Sequence, residues 1–106
     1  MGELDGKVAI ITGAGRLRGI GRAAAEALAK LGADVVVTGT GRSPDSFPDD
    51  EKAIGWKDIE TVAERVRDIG RRALPLVVDV TNRDDVKRMV DETIKEFGRV
   101  DILINN

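Results

Sequence analysis

The chain has 106 residues, 42% of them hydrophobic, so one modest core can form. Its 17 basic and 19 acidic residues nearly cancel, which argues against a nucleic-acid-binding patch and against a disordered acidic tail. The chain has no Cys and no His, which excludes disulfides, thiol catalysis, Cys/His zinc centres and Ser-His-Asp triads within it.

The first part of the chain predicts a strand, a helix and a second strand. Residues 7–12 (KVAIIT) are a short β-branched run that stops at Gly13, a pattern typical of a strand buried on both faces. Residues 20–31 carry apolar side chains at helical spacing, and Gly32 follows as a stop signal. Residues 34–38 (DVVVT) repeat the buried-strand pattern.

A long connection follows before the alternation resumes. Residues 39–56 contain two prolines and an acidic run without clear periodicity, which predicts a functional or a mobile loop. Thr81 is the predicted N-cap of a third helix that ends at Gly98, with Asp84 in the capping-box position. The later helix, strand, helix and strand are predicted at 57–69, 74–80, 82–97 and 101–105.

Three predicted helices thus alternate with four predicted strands. Each strand has a buried pattern and lies too far from the next for a hairpin, so we predict parallel strands with right-handed crossovers. The predicted class is α/β, a partial Rossmann-like doubly wound parallel sheet with strand order 3-2-1-4. A ligand would bind above the carboxyl ends of the first and fourth strands, at the topological switch point.

The connection between the first strand and the first helix is rich in glycine, at Gly13, Gly15, Gly19 and Gly21. A phosphate needs exposed backbone N–H groups with no Cβ in its way, and a helix start adds partial positive charge. We interpret this loop as a phosphate cradle, with a simple glycine turn as the alternative. No Gly-Lys-Ser/Thr follows at the required interval, which argues against a P-loop nucleoside triphosphatase.

This loop resembles the Thr-Gly-x-x-x-Gly-x-Gly motif of the short-chain dehydrogenase/reductase family. Thr12-Gly13 and Gly19-Ile20-Gly21 match the two ends of that motif. Five residues separate Gly13 from Gly19 where the family motif has three, so we expect a longer loop with Arg16 or Arg18 at its tip.

Further motifs carry the same resemblance along the whole chain, beginning with the usual family opening at residues 4–9. Asp79-Val80 is similar to the family motif whose acidic residue meets the adenine amino group; a turn-forming Asp is the alternative. Residues 101–106 (DILINN) are similar to the family's fourth strand and Asn-Asn-Ala-Gly, which assigns Asn105 to the site. The predicted cofactor-binding residues are Thr12, Gly13, Gly15, Arg18, Gly19, Ile20, Gly21, Arg42, Ser43, Asp79, Val80 and Asn105.

The residues after the second strand bear on which dinucleotide binds. A carboxylate there would accept hydrogen bonds from the ribose and repel a 2′-phosphate, but the chain has Gly39-Thr40-Gly41. Arg42 and Ser43 could bind that phosphate, and Arg18 lies where NADP-preferring family members often carry a basic residue. We therefore predict NADP(H), with NAD(H) as the alternative if an acidic side chain folds back, the candidates being Asp45, Asp49 and Asp50.

The resemblance implies hydride exchange between a nicotinamide and a carbonyl or alcohol carbon, with Ser, Tyr and Lys as catalytic residues. The chain has no Tyr, so we assign no catalytic residue and expect residues 1–106 to be the cofactor-binding half of such an oxidoreductase, inactive alone. The alternative is a non-catalytic dinucleotide-binding or regulatory module. A receiver-type domain is disfavoured because Thr12-Gly13 stands where it needs acidic residues.

Location and partners are predicted as follows. The longest aliphatic run, VAII at 8–11, is far shorter than the about 20 residues that cross a bilayer, and the amino terminus lacks a signal-peptide pattern. We predict a cytoplasmic protein with no membrane, metal or nucleic-acid partner. The family resemblance implies a small carbonyl or alcohol substrate and a homo-oligomer, a dimer or a tetramer.

Overall fold

The computed structural model describes residues 2–16, 18–41 and 44–106. The strands are β1 (Val8–Ile11), β2 (Asp34–Gly39), β3 (Ala73–Val77) and β4 (Ile102–Ile104). The helices are α1 (Ile20–Lys30), α2 (Asp49–Ala53), α3 (Ile59–Asp68) and α4 (Arg83–Phe97), with a 3-10 turn at Pro44–Ser46. None of these helices combines the length and apolar character that crossing a membrane requires.

The strands form one parallel sheet in the order β3-β2-β1-β4, which confirms the predicted class and strand order. In the centre of the sheet, Ile11 of β1 lies opposite Val37 of β2 and Ile104 of β4. Helices α1 and α3 pack on one face, and α4 packs on the other. The carboxyl ends of β1 and β4 therefore lie side by side at the switch point.

Burial on both faces explains the uninterrupted β-branched sequence of β2. Val35 and Val37 pack with α1 and α3, whereas Val36 points the other way and packs with Met89 of α4. All three valines are fully buried, and each stabilises the fold by about 1.5 kcal/mol or more. The centre of the sheet thus holds the β1 end and its glycine loop in place.

The prediction that every strand is buried is wrong for β3 and β4. Both lie at edges of the sheet and are only partly buried, and Leu103 of β4 is 60% exposed. Leu103 pairs with Ile10 and so faces the α4 side. In the described ranges α4 is the one helix on that face, and it covers the middle of the sheet around Ile10 and Val36 rather than its β4 edge.

Two other local predictions differ from the structure. Residues 39–56 are not a structureless loop, because β2 extends to Gly39 and the 3-10 turn and α2 follow. The N-cap of α4 is Asn82 rather than Thr81, since the Asn82 side chain accepts from the Asp85 N–H at 3.0 Å. Thr81 instead donates its own N–H and hydroxyl to Asp79, which forms a tight turn before the helix.

Candidate functional site

Hydrogen bonds through Thr12 join the carboxyl ends of β1 and β4. The Thr12 N–H donates to the Ile104 carbonyl at 3.1 Å, and the Thr12 hydroxyl lies 3.2 Å from Asn105 Oδ1. The Asn106 N–H donates to Thr12 Oγ1, and the Asn106 side-chain amide donates to the Gly13 carbonyl, both at 3.1 Å. The structure therefore brings the predicted residues Thr12, Gly13 and Asn105 together at the switch point.

Two glycines of the loop are required by close backbone approach. Gly13 has φ +63°, and a Cβ there would lie 3.1 Å from the Asn106 carbonyl oxygen. A Cβ on Gly21 would lie 2.8 Å from the Ala14 Cα and 2.9 Å from the Gly13 oxygen. The absence of a side chain at Gly21 thus lets the start of α1 pack against the end of β1, as the close helix–strand packing of a dinucleotide-binding turn demands.

The start of α1 has the features of an anion-binding helix end. Its N-cap is Gly19, which has no side chain to cap the first amides, and its first turn contains no acidic residue. Ile20 at this end is 76% exposed, an apolar side chain that a ligand can cover. The Ala14 N–H is engaged by the Thr38 carbonyl at 2.9 Å, so that amide belongs to the sheet rather than to a ligand site.

A crevice of about 190 Å³ lies between the glycine loop and the end of β2. Its lining is Gly13, Gly15, Arg16, Gly39, Thr40 and Asp58. Asp58 is buried, has φ +58°, and does not cap α3 with its side chain. A Cβ on Gly39 would lie 3.3 Å from Asp58 Oδ2, and a Cβ on Gly15 would collide with the same carboxylate.

Asp58 was missed by the sequence analysis. In the sequence it falls in the first turn of the helix predicted at 57–69, where an acidic residue is common and indicates no site. Its carboxylate reaches the end of β2 because of the way residues 44–57 fold, and no local pattern records that.

Asp79 and Val80 follow β3 on the same side of the sheet. Asp79 accepts from the Thr81 N–H at 2.9 Å and from the Thr81 hydroxyl at 2.6 Å, and these bonds lower the pKa of its carboxyl. This geometry is the turn-forming alternative, and contact with an adenine stays a prediction. Val80 is half exposed and lines a second cavity of about 190 Å³ beside Thr12 and Asn105.

Of the two basic residues predicted to bind the cofactor, Arg18 lies in the described part of the chain. Arg18 is exposed, and its Nε donates to Asp50 Oδ2 at 2.6 Å, a bond that lowers the pKa of the Asp50 carboxyl. Asp50 therefore folds back onto the glycine loop through Arg18, while Asp58 is the carboxylate beside Gly39. Arg42 and Ser43 lie outside the described residues.

Comparisons with known proteins match the sequence and the fold of this chain. A family model described as short chain dehydrogenase matches residues 7–106. The chain is 44% identical over 110 residues to a 12alpha-hydroxysteroid dehydrogenase of a Clostridium species, covering 100% of this chain and 38% of that protein.

Solved structures agree in fold. A short chain dehydrogenase from Mycobacterium thermoresistibile superposes with a TM-score of 0.80 at 34% identity, over 97% of this chain and 34% of that one. Carveol dehydrogenase from Mycobacterium avium, in complex with NAD, has a TM-score of 0.77 at 34% identity, over 97% of this chain and 36% of that one. The chain thus spans little more than a third of the length of the proteins it matches.

Proposed function

This chain belongs to the short chain dehydrogenase family, and from that premise we propose that it is the cofactor-binding part of an NAD(P)-dependent oxidoreductase acting on a carbonyl or alcohol substrate. One observation carries the proposal: Gly21, which has no room for a Cβ, and Gly13, with its positive φ, place the uncapped start of α1 against the β1–β4 switch point. A diphosphate fits there, because its charge is stabilised by backbone N–H groups at the helix end.

The other site residues would contact the rest of the dinucleotide. Thr12 and Asn105 lie at the switch point, and Ile20 at the start of α1 offers an exposed apolar surface to the ligand. On the β3 side, Asp79 would accept from the adenine amino group, with Val80 beside the base. These roles follow the family motif, and the positions along the carboxyl edge of the sheet support them.

The bound cofactor supplies a hydride acceptor or donor. The residues at the switch point and the start of α1 would hold this cofactor, which would exchange a hydride with a carbonyl or alcohol carbon, while the proton would pass to or from a separate acid–base group. The acid–base Tyr of the family is absent from residues 1–106, because the chain contains no Tyr. We therefore propose that these residues bind the cofactor without turning a substrate over.

The proposed cofactor preference is NADP(H). Arg42 and Ser43 follow the Gly39-Thr40-Gly41 turn in the sequence, where a guanidinium and a hydroxyl can bind a 2′-phosphate. Arg18 adds a second cation at the glycine loop, although Asp50 already binds it.

NAD(H) is the second candidate, and Asp58 favours it. Its carboxylate lies next to Gly39, close to where a side chain at the end of β2 would project. A carboxylate in this place accepts hydrogen bonds from ribose hydroxyls and repels a 2′-phosphate. The carveol dehydrogenase structure, which contains NAD, adds weight to this alternative.

Calorimetric titration with NADP and with NAD tests which of the two cofactors the chain prefers. Under the NADP proposal, NADP binds more tightly, and Arg42→Ala weakens NADP about tenfold or more because it removes a charge-assisted hydrogen bond, while NAD binding is unchanged. Asp58→Asn is the matching test of the NAD(H) candidate, because it removes the carboxylate charge beside Gly39. If NAD binds more tightly and Asp58→Asn narrows its advantage over NADP, the second candidate replaces the first.

Two further results would decide the wider proposal. Failure of the chain to bind either dinucleotide would overturn the function, and equal weakening of both dinucleotides by Arg42→Ala would reject the 2′-phosphate assignment. The encoding reading frame separates an enzyme from a non-catalytic module: Ser and Tyr-x-x-x-Lys after Asn106 support the enzyme. A cytoplasmic location stays a prediction from the sequence, and a homo-oligomer stays a prediction from the family resemblance.

A further inference from the structure

Residues 44–58 fold onto the glycine loop. The contact therefore joins the two longest connections between the main strands and helices of the fold. The glycine loop has two more residues than the family motif, and Arg18 near its tip binds Asp50 of α2 at 2.6 Å. At the base of the same loop, the Trp56 indole N–H donates to the Gly15 carbonyl at 2.6 Å in a buried hydrogen bond.

The Trp56 bond constrains the peptide group that joins two residues of the crevice lining, Gly15 and Arg16. A peptide plane is rigid, so fixing the Gly15 carbonyl also fixes the N–H of Arg16, which lies in the same plane and points in the opposite direction. The carbonyl is directed at Trp56, and the Arg16 N–H is therefore turned away from it. Gly15 and Arg16 both line the crevice between the glycine loop and the end of β2.

Trp56 is itself held in one orientation. Its side chain is 4% exposed, and the Arg22 guanidinium lies over its ring at 5.3 Å from the centroid. Its backbone N–H donates to the Glu51 carbonyl at 2.9 Å, which anchors it to α2. The indole N–H is a donor only, so Trp56 can hold a carbonyl and cannot compete for a loop amide.

We propose that Trp56 is a positioning residue for the dinucleotide diphosphate: by holding the Gly15 carbonyl, it orients the Arg16 amide toward the phosphates. This inference rests on the proposed function, because it assumes that the glycine loop binds a diphosphate. It assigns a role to Trp56 within residues 39–56, which the sequence predicts to be a functional or a mobile loop.

Trp56→Phe tests the role in the chain at its full encoded length. Phe keeps an aromatic ring for Arg22 and removes the N–H, so the Gly15 carbonyl loses its donor. We expect the Kd for ADP, used as the diphosphate probe, to rise about tenfold, the effect of losing one well-oriented hydrogen bond to a charged phosphate. The Kd of the tighter-binding dinucleotide should rise by the same factor.

Phe47→Leu is the matched control, because Phe47 is a buried aromatic residue of the same segment. It should lower the melting temperature through lost packing and leave the Kd for ADP unchanged. If Phe47→Leu weakens ADP binding as much as Trp56→Phe does, the segment acts through general packing and the positioning role is rejected. If Trp56→Phe binds ADP with the wild-type Kd, the positioning role is also rejected, and the proposed function is unaffected.

One further measurement uses the wild-type chain, so it does not depend on whether a variant folds. The Trp56 indole N–H resonance, assigned in the wild-type chain, should shift on titration with ADP, because the peptide that it holds contacts the phosphates. A resonance that does not move at saturating ADP would contradict the inference. Failure of ADP and of both dinucleotides to bind the wild-type chain would instead overturn the proposed function.

Discussion

The carboxylate of Asp101 ties the start of β4 to the start of β1. Asp101 Oδ2 accepts from the Val8 N–H at 2.9 Å, and the Arg99 guanidinium donates to both carboxylate oxygens at 2.7 and 2.8 Å. The bonds from Arg99, and then the bond from Val8, hold the pKa of this carboxyl below its ordinary value of 3.8. One charged side chain thus sets the register of the two strands that meet at the site.

This lowered pKa makes a prediction about stability and pH. A carboxyl with a lower pKa in the folded state stabilises the fold above its unfolded pKa, and that stabilisation is lost as pH falls through the folded pKa. We expect Asp101→Asn to lower the urea midpoint at pH 7 and to have no effect at a pH below the folded pKa. Asp68→Asn, at the exposed end of α3, controls for the loss of one negative charge.

Urea unfolding of the three proteins across pH 2 to 7 provides the measurement. If the urea midpoints of wild type and Asp101→Asn differ as much at pH 2 as at pH 7, the charge of Asp101 is not the cause of the difference in stability.

At the scale of elements, helices with a regular apolar stripe were predicted within two residues of their ends. The stripe is visible in the sequence because α1, α3 and α4 each bury one face. The cap of α4 was missed because Thr81 and Asn82 are both good capping residues, and Asp79 engages Thr81 in the preceding turn. The five-residue α2 has no stripe of its own, and its placement depends on contacts with the glycine loop.

The cap of α4 can be tested with a pair of variants. Asn82→Ala removes the acceptor for the Asp85 N–H and should lower the free energy of unfolding by about 1 kcal/mol. Thr81→Ala removes an exposed hydroxyl that bonds Asp79, and should cost less than half as much. Urea unfolding at pH 7 measures both, and a larger cost for Thr81→Ala would restore Thr81 as the functional cap.

At the scale of the whole molecule, the strand order was predictable and the contact between the two long loops was not. Alternating buried strands and helices, with glycines after the first strand, favour one doubly wound order, and the sheet has that order. Trp56 and Gly15 are 41 positions apart in the chain, and a single hydrogen bond between them leaves no periodic pattern. Asp58 reaches the crevice by the same long-range folding.

The surface formed by β4 and α4 leads to a prediction for the chain of residues 1–106. Leu103 is 60% exposed, Val90 and Ile94 of α4 are more than 40% exposed, and β4 pairs with β1 alone among the described strands. An unpaired strand edge beside exposed apolar side chains favours association. We therefore expect concentration-dependent self-association in sedimentation velocity, and Leu103→Glu should reduce it because it places a charge in the contact.

Ile54→Glu is the control, because Ile54 is 59% exposed at the end of α2, away from the β4 edge, and should leave the association unchanged. A single monomeric boundary at all concentrations, together with a cooperative melt at high temperature, would contradict the prediction. An equal effect of the two variants would show that net charge, rather than the β4 surface, governs association. A selective effect of Leu103→Glu would locate the contact beside the β1–β4 junction, where the glycine loop begins.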